Sequence, residues 1–243
     1  MIKRCSGRFI AASGAVKKYL VDHQEIHAET IRVVHAGVEI GRFDGNESVG
    51  EIKKRLGLEN CFVIGTVGRI THVKGSDLFV KLASNLKRRH SGSVKLKFLV
   101  VATTADKEFF KIFTALLHQH ELEQDVVIVK DVPDTSAYFS AMDIYVSTAR
   151  EDPFPVVILE AMAARKPVVG FAVGGIPEAV TSESGILIEG DDVEIMTKEV
   201  AGLIHDSDRR LRLGLAGRKR VEEYFTLTRY AAEMTTLIEK AIR

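Results

Sequence analysis

The sequence predicts an α/β fold: a doubly wound parallel sheet followed by a helical C-terminal extension. Three observations predict it. The middle of the chain alternates short β-branched runs with longer stretches of helical character. Most of those runs are apolar almost throughout, as strands are when helices cover both faces of a sheet. After Gly190 the alternation stops and only helical stretches follow.

Strands are predicted at 61–68, 94–101, 125–129, 143–147, 167–171 and 185–188, and helices between them at 76–90, 106–120, 134–142, 155–165 and 175–181. Ser84, Asn85 and residues 87–90 read as the solvated face and end of the first helix. Asp191-Asp192 reads as the N-cap of a helix at 192–205, where early acids suit the positive helix end. Helices at 207–224 and 226–242 follow. The basic run Arg209, Arg210, Arg212, Arg218, Lys219, Arg220 reads as a solvated helical surface, with a membrane or partner patch as the alternative. Ahead of the repeating unit come a strand at 9–12, a helix at 14–22, a strand at 31–34 and a turn at Gly37. A strand-helix pair in front of a complete doubly wound unit suggests the tail of a preceding domain, and hence a fragment.

The chain of 243 residues is 46% hydrophobic and 28% charged, and its 34 basic against 33 acidic residues leave a formal charge of +1. That balance argues against a nucleic-acid partner. Cys5 and Cys61 form neither a CxxC nor a metal-ligand pattern; Cys61 opens an apolar run and reads as core. No apolar stretch approaches the roughly 20 residues that span a bilayer, and no apolar segment follows the basic residues 1–8, so neither a transmembrane segment nor a secretory signal is expected. A cytoplasmic location is the expectation, with peripheral attachment at the inner membrane face as an alternative.

Open parallel sheets bind ligands beyond the C-terminal ends of their strands. After the first strand comes Gly68-Arg69, then Lys74-Gly75. Gly68 permits close backbone approach, and two cations beside one turn suit a diphosphate, although ordinary surface charge gives the same pattern. The run from Ala149 through Arg150-Glu151-Asp152-Pro153-Phe154-Pro155 to Glu160-Ala161-Met162 is more informative. Pro155 can start a helix, leaving amides at that start open to sugar hydroxyls or phosphate oxygens. Glu160, set among Leu159, Ala161 and Met162, needs partners. The vicinal hydroxyls of a ribose and a neighbouring Arg or Lys are equal candidates. Gly174-Gly175-Ile176-Pro177 forms either another open helix start or a tight strand-to-helix turn.

In this order the motifs resemble the C-terminal domain of GT-B glycosyltransferases, specifically the retaining family 4 (group 1). The match runs from Val67-Gly68-Arg69 and Lys74-Gly75, through 143–147 and 150–163, to Lys166-Pro167-Val168-Val169, 174–178 and 185–188. The resemblance implies a Rossmann-like nucleotide-sugar-binding domain at 39–224. Residues 1–38 become the end of an N-terminal acceptor domain plus the hinge, and 225–243 a helix that crosses back to that domain. It implies catalytic roles for Arg69, Lys74, Asp152 and Glu160. Arg69 and Lys74 hold the donor diphosphate in place of a metal, Asp152 sits by the transferred sugar, and Glu160 binds the ribose. It implies donor contacts from Gly68, Lys130, Val132, Phe154, Pro155, Val156, Gly174 and Gly175, with the backbone at 154–156 on sugar hydroxyls and the loop 129–132 beside the base.

The implied partners are a UDP- or GDP-sugar donor, a saccharide or lipid-linked acceptor, and an N-terminal acceptor domain that a separate chain could supply. No cofactor and no metal are expected. Bacterial polysaccharide biosynthesis is the implied setting. Two positions depart from the family pattern: Asp152 stands where Glu is common, and Ala149 where Ser is common. Both leave the sugar open. His72, beside the diphosphate loop, receives no role. A nicotinamide dehydrogenase is disfavoured because Gly65-x-x-Gly68 is not GxGxxG and no acid closes the second strand. A non-catalytic nucleotide-sugar-binding module or accessory subunit is the main alternative, ahead of an epimerase or phosphorylase of the same fold.

Overall fold

The computed structural model describes residues 7–44, 49–90, 94–132 and 134–242; Cys5 and the start of the basic N-terminal segment lie outside them. Six parallel strands form the main sheet: β3 (Cys61–Ile70), β4 (Lys95–Ala105), β5 (Val126–Lys130), β6 (Ile144–Ser147), β7 (Val168–Phe171) and β8 (Gly185–Ile188). Their spatial order is β5-β4-β3-β6-β7-β8, so the winding direction reverses between β3 and β6. That reversal opens a crevice at the strand ends.

Strand periodicity explains the two-sided core. Val63, Val67, Leu99, Val101, Tyr145 and Val168 point to one face, and Ile64, Phe98, Val100, Ile144, Val146, Val169 and Phe171 to the other. On the first face pack α2 (Val49–Arg55), α5 (Ser136–Ala141), α6 (Val156–Ala163) and α9 (Ser207–Tyr224). On the second pack α3 (Ser76–Arg89), α4 (Lys107–Gln119) and α8 (Val193–His205). Cys61 is buried in the first cluster. The helix α2 had no sequence signal: a single Ile52 turns inward from a short polar stretch.

Ser84 and Asn85 are buried, not solvated. The helix α3 packs on the sheet and also against α8, so its inward face is wider than one stripe. Asn85 donates to Glu194 Oε1 at 2.8 Å and accepts from Arg88 at 2.6 Å, while Ser84 Oγ meets His120 Nδ1 at 3.1 Å. Polar groups buried there are tolerated because each has a partner.

The basic run on α9 is likewise only partly a solvated face. Arg210 donates to the carbonyls of Leu203 and Ile204 at the end of α8, and Arg220 to those of Glu178 and Ala179. Arg218, its side chain only 9% exposed, donates to the Ala163 carbonyl and pairs with Asp44 and Glu222. Guanidinium groups suit these positions because a planar fork satisfies several acceptors at once.

Residues ahead of the sheet form their own small unit. A parallel pair, β1 (Phe9–Ala11) and β2 (Ile31–Val33), is joined by α1 (Gly14–Gln24), with Ala11, Ile26 and Ile31 as its core. Residues 37–38 lead out of it. Val38 bonds Phe225 and Leu227 on both sides of Thr226, at 2.9 and 3.0 Å. The last helix, α10 (Leu227–Ile242), then passes β2, the two sharing a groove lined by Val33, Val34, Ala232 and Leu237. Among the described residues no helix is long and apolar enough to cross a membrane.

Replacing Arg218 by Ala strands the buried Ala163 carbonyl and removes two ion pairs to half-exposed carboxylates. The expected loss is about 2–3 kcal/mol of unfolding free energy, measured by urea denaturation; a loss below about 0.5 kcal/mol, the size of an ordinary surface substitution, would return Arg218 to the solvated face.

Candidate functional site

The crevice between β3 and β6 is lined by Gly68, Arg69 and Lys74 from the first strand end and its loop. Tyr145, Ser147 and Thr148 line it from β6, and Asp152, Val157 and Ile158 from the segment that enters α6. Three of the four predicted catalytic residues therefore share one cleft. Arg69 is exposed and has no hydrogen-bond or ion-pair partner among the described residues. Lys74 is held differently: its ammonium lies 2.7 Å from Asp152 Oδ2, with both side chains mostly buried. The family resemblance gives Lys74 to the phosphates and Asp152 to the sugar. The fold makes them an ion pair.

Backbone geometry explains why these loops meet. Gly75 has φ +64, and a Cβ there would lie 1.8 Å from the Thr148 carbonyl oxygen. Thr148 Oγ1 donates back to the Gly75 carbonyl at 2.8 Å. Gly174 has φ +54, and its Cβ would lie 2.0 Å from the Asp152 carbonyl oxygen, which accepts from the Gly175 amide at 2.9 Å. The Gly174-Gly175 segment thus makes a tight turn that braces Asp152. It leads into α7 (Ile176–Ala179).

The helix α6 begins at Val156, with Pro155 as its N-cap and no side chain capping it. The Val156 amide is bonded to the Phe154 carbonyl at 3.1 Å. Val157 and Ile158, in the same first turn, line the cleft, and the resemblance gave them no role. Phe154 turns its ring into the core, stacking on His35 at 4.8 Å and packing near Phe225. Lys130 and Val132 lie at the end of β5, away from this lining. Lys130 rests over the Phe110 ring at 4.9 Å, and Val132 packs against the core.

Glu160 also stands apart from the cleft lining. No hydrogen bond or ion pair holds its carboxylate among the described residues. Burial pushes its pKa up, Arg42 opposes that rise, and Asp134 adds to it. Arg42 is itself bonded to Asp134 at 2.7 Å. Neither Arg42, in a short 3-10 helix at Ile40–Phe43, nor Asp134, in the loop before α5, was legible as a neighbour of Glu160, since both lie far away in sequence.

Two further clusters escaped the sequence reading. Arg150 grips Asp77 with both terminal guanidinium nitrogens, at 2.8 and 2.6 Å. Burial raises the Asp77 pKa, but the Arg150 bond and charge outweigh it and bring the carboxyl below its ordinary range. Glu178 accepts from the Gly14 and Ala15 amides at the start of α1, at 2.9 and 3.0 Å, and meets His35 Nε2 at 2.7 Å. Ser13 Oγ donates to the Pro153 carbonyl at 2.6 Å. The small N-terminal unit is thereby fastened to the wall of the cleft.

A six-stranded doubly wound sheet with a cleft carrying charged side chains at its switch point defines an open α/β ligand-binding domain. Residues 48–220 match the family model for glycosyl transferases group 1. The chain belongs to that family. Over 208 residues it is 29% identical to the lipopolysaccharide core biosynthesis mannosyltransferase LpcC of Rhizobium leguminosarum bv. viciae, covering 82% of this chain and 57% of that one. Its fold is similar to Anabaena Alr3699/HepE in complex with UDP and glucose, with a TM-score of 0.89 at 20% identity, covering 98% of this chain and 64% of that one. It is also similar to the C-terminal domain of the group 1 glycosyl transferase LpcC from Francisella tularensis. There the TM-score is 0.69 at 23% identity, covering 79% of this chain and all of that domain. The chain spans about half the length of the curated relatives it matches.

Glu160, without a hydrogen bond among the described residues, carries a stability signature. Its raised pKa means that the folded state holds a proton more tightly than the unfolded chain, so stability falls as pH rises through the carboxylate range. Glu160→Gln is expected to melt higher than the parent at pH 7, with the gain vanishing at pH 4; equal melting temperatures at pH 7 would contradict a desolvated carboxylate.

Proposed function

We propose that this chain is the donor-binding half of a retaining glycosyltransferase. The enzyme transfers a hexosyl group from a UDP- or GDP-sugar to a saccharide or lipid-linked acceptor. The observation that carries the reading is the cleft at the switch point, where Arg69, without a partner among the described residues, shares the lining with the Lys74–Asp152 pair and the first turn of α6, which no side chain caps. A diphosphate is the ligand that such a set favours, because it accepts planar guanidinium contacts, a point charge and backbone amides together.

When the glycosidic bond to the phosphate breaks, negative charge grows on the departing nucleoside diphosphate. Arg69 and Lys74 stabilise that charge without a metal ion. Engagement of Lys74 by phosphate loosens its pair with Asp152, which frees Asp152 to accept hydroxyls of the transferred sugar. Glu160 binds the ribose: two vicinal hydroxyls give a desolvated carboxylate the hydrogen bonds that it lacks among the described residues. Retention of configuration and metal independence rest on the family resemblance. The HepE complex with UDP and glucose supports the choice of donor, and the lipopolysaccharide relative supports a saccharide-building setting. The acceptor site belongs to an N-terminal half. In this reading the protein acts in the cytoplasm, with peripheral attachment to the inner face of the membrane as a further expectation.

Isothermal titration is expected to detect binding of UDP or GDP but not of NAD; binding of neither diphosphate would overturn the donor-site reading. Glu160→Gln should weaken the bound nucleotide tenfold or more, since a hydrogen bond to a charged group is worth about 1.5–3 kcal/mol. Unchanged affinity would make Glu160 structural. Sugar transfer by this chain alone should be slight, and robust turnover would contradict the division into halves.

A further inference from the structure

Lys74 has a long flexible stem, so its usefulness to a diphosphate depends on how firmly its backbone is held. Every backbone neighbour of Lys74 is tied to the segment 148–151. Arg150 donates to the His72 carbonyl at 2.7 Å, and its own amide donates to the Val73 carbonyl at 2.9 Å. Thr148 Oγ1 donates to Gly75 at 2.8 Å. The same Arg150 guanidinium forks onto Asp77 in the first turn of α3, with the two side chains 22% and 24% exposed. One side chain thus fixes the loop just before Lys74 and the helix just after it. Parallel, two-toothed bonding of this kind resists rotation in a way that a single ion pair does not.

We infer that Arg150 is a positioning residue for Lys74: by clamping His72 and Asp77 it presets the loop so that the Lys74 ammonium meets the phosphates. The inference rests on the diphosphate reading proposed above and adds a residue that touches no phosphate. Arg150 lines a second groove on the far side of Asp152, with Ala15, Tyr19 and Pro153, and not the cleft that holds Arg69 and Lys74. Its influence on a diphosphate is therefore indirect. Lys at this position would keep the charge and lose the fork.

The test is a double-mutant cycle on the full chain with Arg150→Ala and Lys74→Ala, titrated with UDP, GDP, uridine and guanosine. Arg150→Ala is expected to weaken the diphosphate that binds by about tenfold while leaving the matching nucleoside unchanged, and to cost less than about twofold once Lys74 is already Ala. Arg150→Lys should not restore the affinity. Multiplying effects in the double variant would overturn the inference, because Arg150 would then act independently of Lys74. An equal loss for nucleoside and diphosphate would also overturn it, leaving Arg150 a support of the fold. Binding of neither diphosphate by the unsubstituted chain is a distinct outcome, which removes the donor-site reading and this inference with it.

Discussion

The candidate site depends on one close approach: the Gly75 backbone resting against the Thr148 carbonyl, where any side chain would collide. Strand β3 and strand β6 are neighbours in the sheet but far apart in sequence. Their C-terminal loops would diverge unless something joined them. The contact at Gly75 allows Thr148 to bond the loop backbone and Arg150 to reach Asp77 across it. Only with the loops joined can a lysine from one meet an aspartate from the other at 2.7 Å. The cleft with its ion pair is thus a product of strand order and of one missing side chain.

The two acids of the motif end in opposite electrostatic states. Asp152 is neutralised by Lys74 and braced through its carbonyl by Gly175. Glu160 is desolvated, holds no hydrogen bond among the described residues, and receives only the more distant help of Arg42. A ligand meets a different task at each. At Asp152 an anion must compete for an occupied cation, so binding and release of the pair are linked. At Glu160 a neutral hydroxyl donor relieves a standing cost. Carboxylates with such different surroundings suit different roles, which spacing in sequence alone does not distinguish.

Most of the architecture was legible because strands buried on both faces are apolar throughout and α/β connections are regular. All six strands and the helices between them lie close to their predicted positions. The misreadings share a cause: they concern polar side chains whose partners come from distant segments. Ser84 and Asn85 look like a solvated face until α8 packs on α3, and Arg218 looks like surface until it reaches the end of α6. The site divides in the same way. The family resemblance assigns Gly68, Arg69, Lys74 and Asp152 to one donor site, but no local signal joins Arg150 to Asp77, Arg42 to Asp134, or Glu178 to the start of α1. The Phe154 ring stacks on His35 and the Gly175 amide bonds the Asp152 carbonyl, two structural commitments with no local signal in the sequence.

Fastening of the small N-terminal unit by Ser13, His35 and Glu178 sets one wall of the second groove directly beside Asp152. A sugar held at Asp152 would therefore lie between the switch-point cleft and that wall. The most direct test of the account is a crystal structure of this chain soaked with UDP or GDP. The account predicts diphosphate oxygens on Arg69 and Lys74, the start of α6 facing them, and ribose hydroxyls on Glu160. A diphosphate bound elsewhere, or a nucleotide that leaves Arg69 and Glu160 without contacts, would contradict it.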